Sequence, residues 1–487
     1  MILQKPTPYK AIIFDLGGVL FTWEPPPDAS IPPNILKNIL ASQIWHDYER
    51  GNLTQDDCHQ TLASHCGVDV SDIALTVNQA QQSLATNLAI RSLLLEIKAA
   101  IPDIAIYAMS NLSKPDVQRA HPEVCIFDRI FPSGLHGARK PQTDFYRKVL
   151  DEIGMSAEQI IFIDDQLDNI MSAQSIGMHG ILYTQPALLS QPLNHLLLDP
   201  VQRGMEYLRR HAKALYSTVD DGQPVRENFS QLLILEATGD EILISLERHE
   251  STWNFFQGPP TFTTSTFPND VDTTSLAWLT LPAPEPMIAA LLDRITTTLV
   301  NEDGIVTTYF TSTRTRTDPV VCTNVLRLLH KYNHPHPLPA TLTWIHHILL
   351  HRTYLHGTRY YPTPESFLYA VSQLCTLPST HTPALKSLRE ILIPRLKERI
   401  NVQTDALALG LRILACLHTG IPRHEIANEV TELMARQHGD GSWDAGCFCR
   451  FGASKLNLLN RGLTTAVAVR VMRGFFGDSE SVTINGV

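Results

Sequence analysis

Residues 11–21 read AIIFDLGGVLF, a short apolar run that stops at an aspartate and two glycines. Such a run, bounded by turn residues, fits a strand buried on both faces. The break sets Asp15 at its carboxyl end, where open α/β sheets gather their binding groups. Two later stretches repeat the plan: DIAIYAMSN (103–111) ends in Ser110 and Asn111, and QIIFIDD (159–165) ends in Asp164 and Asp165. Between the first two runs the patterning is helical, as in PNILKNILASQIWHDYE and LAIRSLLLEIKAA. That insertion is too long for a loop and predicts a helical cap over about 22–95.

The chain has 487 residues, too many for one ordinary core, so two domains are expected. Apolar residues form 44% and charged residues 18%, which argues against disorder. A net charge of −10 gives no basic footprint for nucleic acid. An anionic substrate must therefore be held by local cations, a metal or backbone amides. No apolar stretch reaches the ~18–20 residues that a membrane span needs. The opening MILQKPTPYKAIIFDL has no cleavable leader pattern, and the eight cysteines lack zinc spacing. Free or buried thiols in a reducing, cytoplasmic compartment are expected.

From about residue 200 helical patterns follow one another, among them DPVVCTNVLRLLHKY, PESFLYAVSQL and DALALGLRILACLHTG. Two of these helices end in similar Asp-Gly turns, NEDGIVTTYF and QHGDGSWDAGCF, a faint repeat consistent with paired helices in an α/α barrel. The Pro- and Gln-containing QPALLSQPLNHLLLDPVQRG reads as a linker. The expected organisation is an α/β Rossmann-like domain with its cap over 1–190, a linker over 191–210, and an all-α barrel over 211–487.

The first domain carries an ordered set of polar groups. Gly17 and Gly18 let a phosphate approach the backbone after Asp15, while Ser110 and Asn111 offer a hydroxyl and amides to phosphate oxygens. Lys140, in GARKPQTDFY, supplies a cation, and Asp164 and Asp165 suit Mg²⁺, which prefers carboxylate oxygen. A carboxylate, a neutralising lysine and a metal are what phosphoryl transfer to an aspartate needs. Over about 8–185 this set resembles the haloacid dehalogenase superfamily, and KPQTDFYRKVLDEIGMSAEQIIFIDD is similar to its capped phosphatases. The resemblance implies Asp15 as nucleophile, Ser110 as phosphate-binding hydroxyl, Lys140 as charge balance, and Asp15, Asp164, Asp165 and the Gly17 carbonyl around Mg²⁺. One position departs: those phosphatases carry a second Asp two residues after the nucleophile, and here Gly17 stands there. DDQLD (164–168) also matches the Asp-rich motif of ionising terpene synthases, but it directly follows a strand-like run and reads as the metal site of the first domain.

The second domain opens a different question with FPNDVDTTSLAW (267–278). Asn269 or Asp270 suits a helix N-cap, and Thr273 and Thr274 a first turn. Protonating an isolated alkene requires a carboxylic acid kept neutral near pH 7, and burial beside a second carboxylate raises an Asp pKa. Aspartates at i and i+2 beside threonine hydroxyls fit that need, and aromatic faces stabilise the cation that forms. This half supplies Trp253, Phe255, Phe256, Trp278, Tyr309, Phe310, Tyr354, Tyr360, Tyr361, Phe367 and Trp443. Arg314, Arg316, Arg352, Arg359 and Lys455 are candidates for holding an anionic substrate, a diphosphate if the resemblance that follows holds.

The Asp-x-Asp-Thr-Thr stretch resembles the acid motif of class II terpene cyclases, which implies Asp272 as general acid with Asp270 and Thr273 positioning it. QHGDGSW (437–443) is similar to the Gln–Trp turn of that superfamily, and DPVVCTNVLRLL (318–329) to its helix with a buried Asn, here Asn324. The resemblance covers about 210–475, a single barrel. A phosphatase-like domain followed by such a barrel resembles the fused drimane-type sesquiterpene synthases. That implies cyclisation of farnesyl diphosphate to a bicyclic diphosphate, then dephosphorylation to a drimenol- or albicanol-type alcohol. Two other assignments of the same residues stay open: a cyclase whose first domain is silent or stops at the monophosphate, and a phosphatase with a helical binding domain.

Overall fold

The computed structural model describes residues 9–22, 30–118, 122–334, 338–377 and 382–477. The first half of the expected leader-free opening (1–8) and part of the expected cap (23–29) lie outside the described residues. The chain divides into two compact units between Leu197 and Leu198.

The first unit is built on strands β1 (Ala11–Phe14), β2 (Phe21–Thr22), β3 (Ala85–Thr86), β4 (Ala105–Ser110), β5 (Arg129–Pro132), β6 (Ile160–Asp164) and β7 (His179–Leu182). Five of them form a parallel sheet in the order β5-β4-β1-β6-β7. β1 is central and wholly buried, which is why its sequence is an unbroken apolar run. Its register sets Ala11 beside both Ala105 and Ile160, so Asp15, Ser110 and Asp164 emerge together at one edge. The β2–β3 ribbon leads into and out of helices α1 (Pro33–Leu40), α2 (Gln43–Glu49), α3 (Gln55–Cys66) and α4 (Val70–Gln82). These helices are the predicted cap, with their own core of Ile39, Tyr48, Leu62 and Ile73. Helices α5 (Leu88–Ala100), α6 (Lys114–Gln118), α7 (Ser133–His136), α8 (Thr143–Ile153), α9 (Leu167–Ser175) and α10 (Pro186–Leu197) complete the unit.

The second unit holds α11 (Pro200–Arg210), α12 (Asn228–Thr238), α13 (Val271–Thr280), α14 (Glu285–Thr298), α15 (Pro319–Lys331) and α16 (Pro339–Leu350). It continues through α17 (Pro364–Leu374), α18 (Pro383–Lys397), α19 (Ala406–Thr419), α20 (Arg423–Ala435) and α21 (Arg461–Phe476). Helices α12, α13, α15, α17, α19 and α21 each pack on the next, and α21 returns to α12, closing a ring. Ring members α15, α17 and α19 are buried on nearly every face, as the inner layer of a barrel must be. Outside it, α16 packs on α15, α18 on α17 and α19, and α20 on α19 and α21.

One expectation is corrected. Residues 191–210 are helical, belonging to α10 and α11 with a break only at 198–199. Pro200 sits in the first turn of α11, behind the capping Asp199, where a missing N–H costs nothing. The second unit is largely helical, as expected, with one small sheet added. Strands β8 (Ser217–Val219), β9 (Pro224–Val225), β10 (Gly446–Arg450) and β11 (Asn457–Asn460) make an antiparallel sheet ordered β10-β11-β8-β9. They are two to five residues long, too short to show a period of two in the sequence.

Candidate active sites

The second unit contains a cavity of about 200 Å³, reached by both carboxylates of the Asp-x-Asp motif. Asp270 is the N-cap of α13: its side chain accepts from the Thr273 N–H at 2.6 Å and from Thr273 Oγ1 at 2.9 Å. That cap fixes where the first turn begins and turns Asp272 into the cavity wall. Asp272 Oδ1 accepts from Asn324 Nδ2 of α15 at 2.8 Å, and Oδ2 accepts from the Tyr361 hydroxyl. Asn324 Oδ1 in turn accepts from Arg327 Nη1 at 2.9 Å.

Burial dominates the electrostatics. It pushes Asp272 up to about 6, against the lowering pull of the Asn324 and Tyr361 hydrogen bonds. Burial, reinforced by the charge of Asp272, pushes Asp270 up to about 7 despite the Thr273 backbone N–H bond. A carboxyl held this way is neutral in mildly acidic solution, yet the base it leaves behind is already hydrogen-bonded. The surrounding walls are rings. Phe229 of α12, Phe255, Phe262, Phe267, Tyr309, Tyr360, Tyr361 and Phe451 all line the space. Phe262 holds a backbone φ of +60°, a left-handed value that costs free energy for any residue but glycine. At the rim, Arg314 lies over Phe267 and Tyr309 at 5.6 and 5.4 Å and donates to Thr264 Oγ1, and Arg316 and Arg450 stand beside it.

In the first unit a separate pocket of about 420 Å³ is lined by Asp15, Gly17, Gly18, Ser110, Lys140 and Asp165. Lys140 Nζ, fully buried, bridges Asp15 Oδ1 and Asp164 Oδ2, each at 2.7 Å. Asp164 Oδ1 also accepts from the Gln166 N–H and from Asn169 Nδ2, so both its oxygens are occupied. Burial pushes Asp15 up to about 7, with Lys140 pulling it down. Carboxylate oxygens of Asp15, Asp164 and Asp165 lie within 4.8 Å of one another, an all-oxygen donor set that fits a hard divalent cation. Gly18 is required here: its φ is +79°, and a Cβ would strike the Asp165 carboxylate. Gly17 is different, since a Cβ there would meet nothing within 4 Å.

Residues 9–177 match the haloacid dehalogenase-like hydrolase family, and residues 201–332 match the sesquiterpene cyclase astC-like C-terminal domain. Drimenol cyclase drtB of Aspergillus calidoustus is 40% identical over 470 residues, covering 96% of this chain and 88% of that protein. The chain belongs to the drimenol cyclase family. Sesquiterpene phosphatase astK of Aspergillus oryzae is 40% identical over 194 residues, 39% of this chain and 98% of its own length.

In this family member the predicted residues divide into those that reach a site and those that support one. Asp270, Asp272, Thr273, Tyr360 and Arg314 line the cavity, and Asn324 reaches Asp272 from behind. Trp278 and Trp443, expected to face substrate, do not line it. Trp278 donates to the Ser251 carbonyl and packs edge-on against Trp253, while Trp443 donates to the Leu433 carbonyl of α20. Their indole N–H groups need buried acceptors, and those acceptors lie in the core. Phe256 stands one layer back, stacked on Phe451 and edge-on to Phe255 and Phe267. Of the expected arginines, Arg352 is bound to Glu398, and Arg359 and Lys455 do not line the cavity. In the phosphate pocket, Asn111 spends its amide on the Lys140 backbone, donating to the carbonyl at 3.1 Å and accepting from the N–H at 2.8 Å. It orients the lysine through that group and also lines the pocket.

Four lining rings, Phe229, Phe262, Phe267 and Phe451, and the cation Arg450 were not singled out in the sequence. Phe262 and Phe267 sit in the irregular GPPTFTTSTFP stretch and Phe451 just past β10, where no periodicity points inward or outward.

Proposed function

We propose that the second unit protonates the terminal alkene of farnesyl diphosphate and closes it to a bicyclic drimane diphosphate, from which the first unit removes phosphate to give a drimenol-type alcohol. The observation that carries this is Asp272: a buried, doubly hydrogen-bonded carboxyl in the wall of a ring-lined cavity. Its proton passes to the alkene carbon, the π electrons form the new C–H bond, the next double bonds attack the resulting cation in turn to close two rings, and loss of a proton from the bicyclic cation to a base leaves a neutral alkene. Asn324 and Tyr361 hold the carboxylate that remains, and the rings shield the cation from water. Arg314, Arg316 and Arg450 are proposed to keep the diphosphate at the rim. Incubating the full chain with farnesyl diphosphate and Mg²⁺ tests the reading. A bicyclic alcohol in the organic extract is expected, and farnesol alone would count against it.

In the phosphatase half, Asp15 is proposed to attack phosphorus. A P–O bond to the leaving group breaks as the aspartyl phosphate forms, and water then releases phosphate and restores the carboxylate. Ser110 donates to a phosphoryl oxygen and Lys140 balances charge. Asp15, Asp165 and the Gly17 carbonyl, with Asp164, would hold Mg²⁺; when bound, that ion offsets charge on the transferring phosphoryl group. Gly17 bears on the second dephosphorylation. A phosphate monoester leaves readily because its second pKa is about 6, whereas an alkoxide needs a proton. Gly17→Asp, entering open space, is therefore expected to speed hydrolysis of the alkyl monophosphate by about 10²-fold. The ratio of alcohol to monophosphate reads this out, and an unchanged ratio counts against acid assistance as the limiting step.

The pH dependence of cyclisation follows from Asp272. The donor must be protonated, so kcat is expected to fall as pH rises through about 6. The Tyr361 hydrogen bond lowers that pKa, so Tyr361→Phe should move the fall to higher pH. The same variant loses a charge-assisted bond to the nascent carboxylate, and its maximal kcat is expected to drop about 10- to 100-fold. A drop without the pH displacement would argue against a direct bond in catalysis.

No helix among the described residues is long and apolar enough to cross a membrane. All eight cysteines are unpaired, which supports a reducing compartment, and we place the enzyme in the cytoplasm.

A further inference from the structure

Behind Asp272 lies a second, smaller cavity of about 60 Å³ at the centre of the helix ring. Its wall includes Asn324, Arg327, Glu236, Tyr361 and Gln373. Arg327 follows Asn324 by one helical turn, so the two side chains share a face of α15. Arg327 Nη1 donates to Asn324 Oδ1 at 2.9 Å, while Nη2 forms an ion pair with Glu236 of α12. Both charges are largely buried, and buried polar pairs cost desolvation that apolar residues of similar size avoid. Packing alone does not call for such a pair against the general acid.

We propose that Arg327, held by Glu236, is a positioning residue that dictates which oxygen of Asp272 carries the transferable proton. A guanidinium only donates hydrogen bonds. It therefore forces the Asn324 amide to present its oxygen to Arg327 and its NH₂ to Asp272. Asn324 then donates to Asp272 Oδ1 and cannot accept from it. The Tyr361 hydroxyl, which donates to Oδ2, can accept as well, so the carboxyl proton is left to Oδ2, in the wall of the substrate cavity. Freed from Arg327, the Asn324 amide can turn over and accept the acid's own O–H. That arrangement stabilises the neutral acid and aims its proton away from the alkene.

This rests on the cyclase reading above, and the pH profile separates it from a general packing role. Asp272 is faced by Asp270 from its own helix and by Asp318, Asn324 and Arg327 from α15. Tyr309, Tyr360 and Tyr361 face it from the loops, and Cys449 and Arg450 from β10. Only Arg327 and its ion-pair partner Glu236 are altered in the test. Its positive charge and the fixed Asn324 N–H both favour the carboxylate, so their loss raises the pH up to which Asp272 stays protonated.

The experiment measures total bicyclic product from farnesyl diphosphate, after alkaline phosphatase treatment, across pH 5–9 for the full chain. Arg327→Met and the paired Arg327→Met/Glu236→Met are expected to lower maximal kcat at least about tenfold with KM within about threefold. Their alkaline limb should move to higher pH. Arg327→Lys, which keeps the charge against Glu236, should lie between wild type and Arg327→Met in both quantities, and decides the matter if the Met variants do not fold. Wild-type kcat and limb in the paired variant, a loss of kcat with the limb unmoved, or a wild-type profile in Arg327→Lys overturns the proposal. Wild type that yields no bicyclic product overturns the cyclase reading instead.

Discussion

Asp272→Asn is expected to abolish ring closure, lowering bicyclic product at least about 10³-fold, while phosphate release by the first unit continues. General acids contribute about 10²–10⁴-fold where they assist a step. Here the proton is also the electrophile that starts the reaction, so the loss belongs at the upper end. The substitution is nearly isosteric: an amide oxygen can still accept from Tyr361 or Asn324, and the Asp270 cap of α13 is untouched. A loss of activity therefore reports the missing proton and not a collapsed wall. Gas chromatography of phosphatase-treated extracts provides the measurement. Bicyclic product within tenfold of wild type would remove Asp272 from the role of donor.

Asp15→Asn is expected to give the mirror outcome, with alcohol formation down at least about 10³-fold and the cyclised diphosphate accumulating. An amide is neutral and weakly nucleophilic, and the buried Lys140 would lose one of the two carboxylates that hold it. Asp164, with Gln166 and Asn169 bound to its other oxygen, still anchors the lysine, so the pocket keeps its shape. Liquid chromatography with mass detection of the diphosphate, monophosphate and alcohol distinguishes the products. An unchanged yield of alcohol would mean that phosphate leaves by another route. Opposite phenotypes in the two variants would establish that each half of the chain carries its own chemistry.

Both acids were legible in the sequence because each sits at a feature that local chemistry dictates. Asp15 ends a buried strand whose composition announces it, and Asp270 and Asp272 open a helix whose N-cap is written in the residues around it. Asp165 followed from the same logic of strand ends and metal-binding oxygen, and Lys140 from the cation that phosphoryl transfer to an aspartate needs. What escaped was whatever depends on contacts between distant segments. Tyr361 was one aromatic among many until α13 and the loop before α17 brought it onto Asp272. Trp278 and Trp443 misled because a large ring announces burial but not which side of a wall it serves. The short strands β8–β11 were hidden by their length, and the helices at 191–210 by prolines, of which Pro200 fits a first turn.

The cavity has two kinds of wall. Asp272 stands on a ring helix with Asn324 and Arg327 behind it, whereas Tyr361, Phe262, Phe267 and Phe451 come from segments outside the helices. Phe262 even keeps its strained backbone there. Substitutions in those segments are therefore expected to recast the mould around a flexible polyene, and at Tyr361 to reach the proposed proton donor as well.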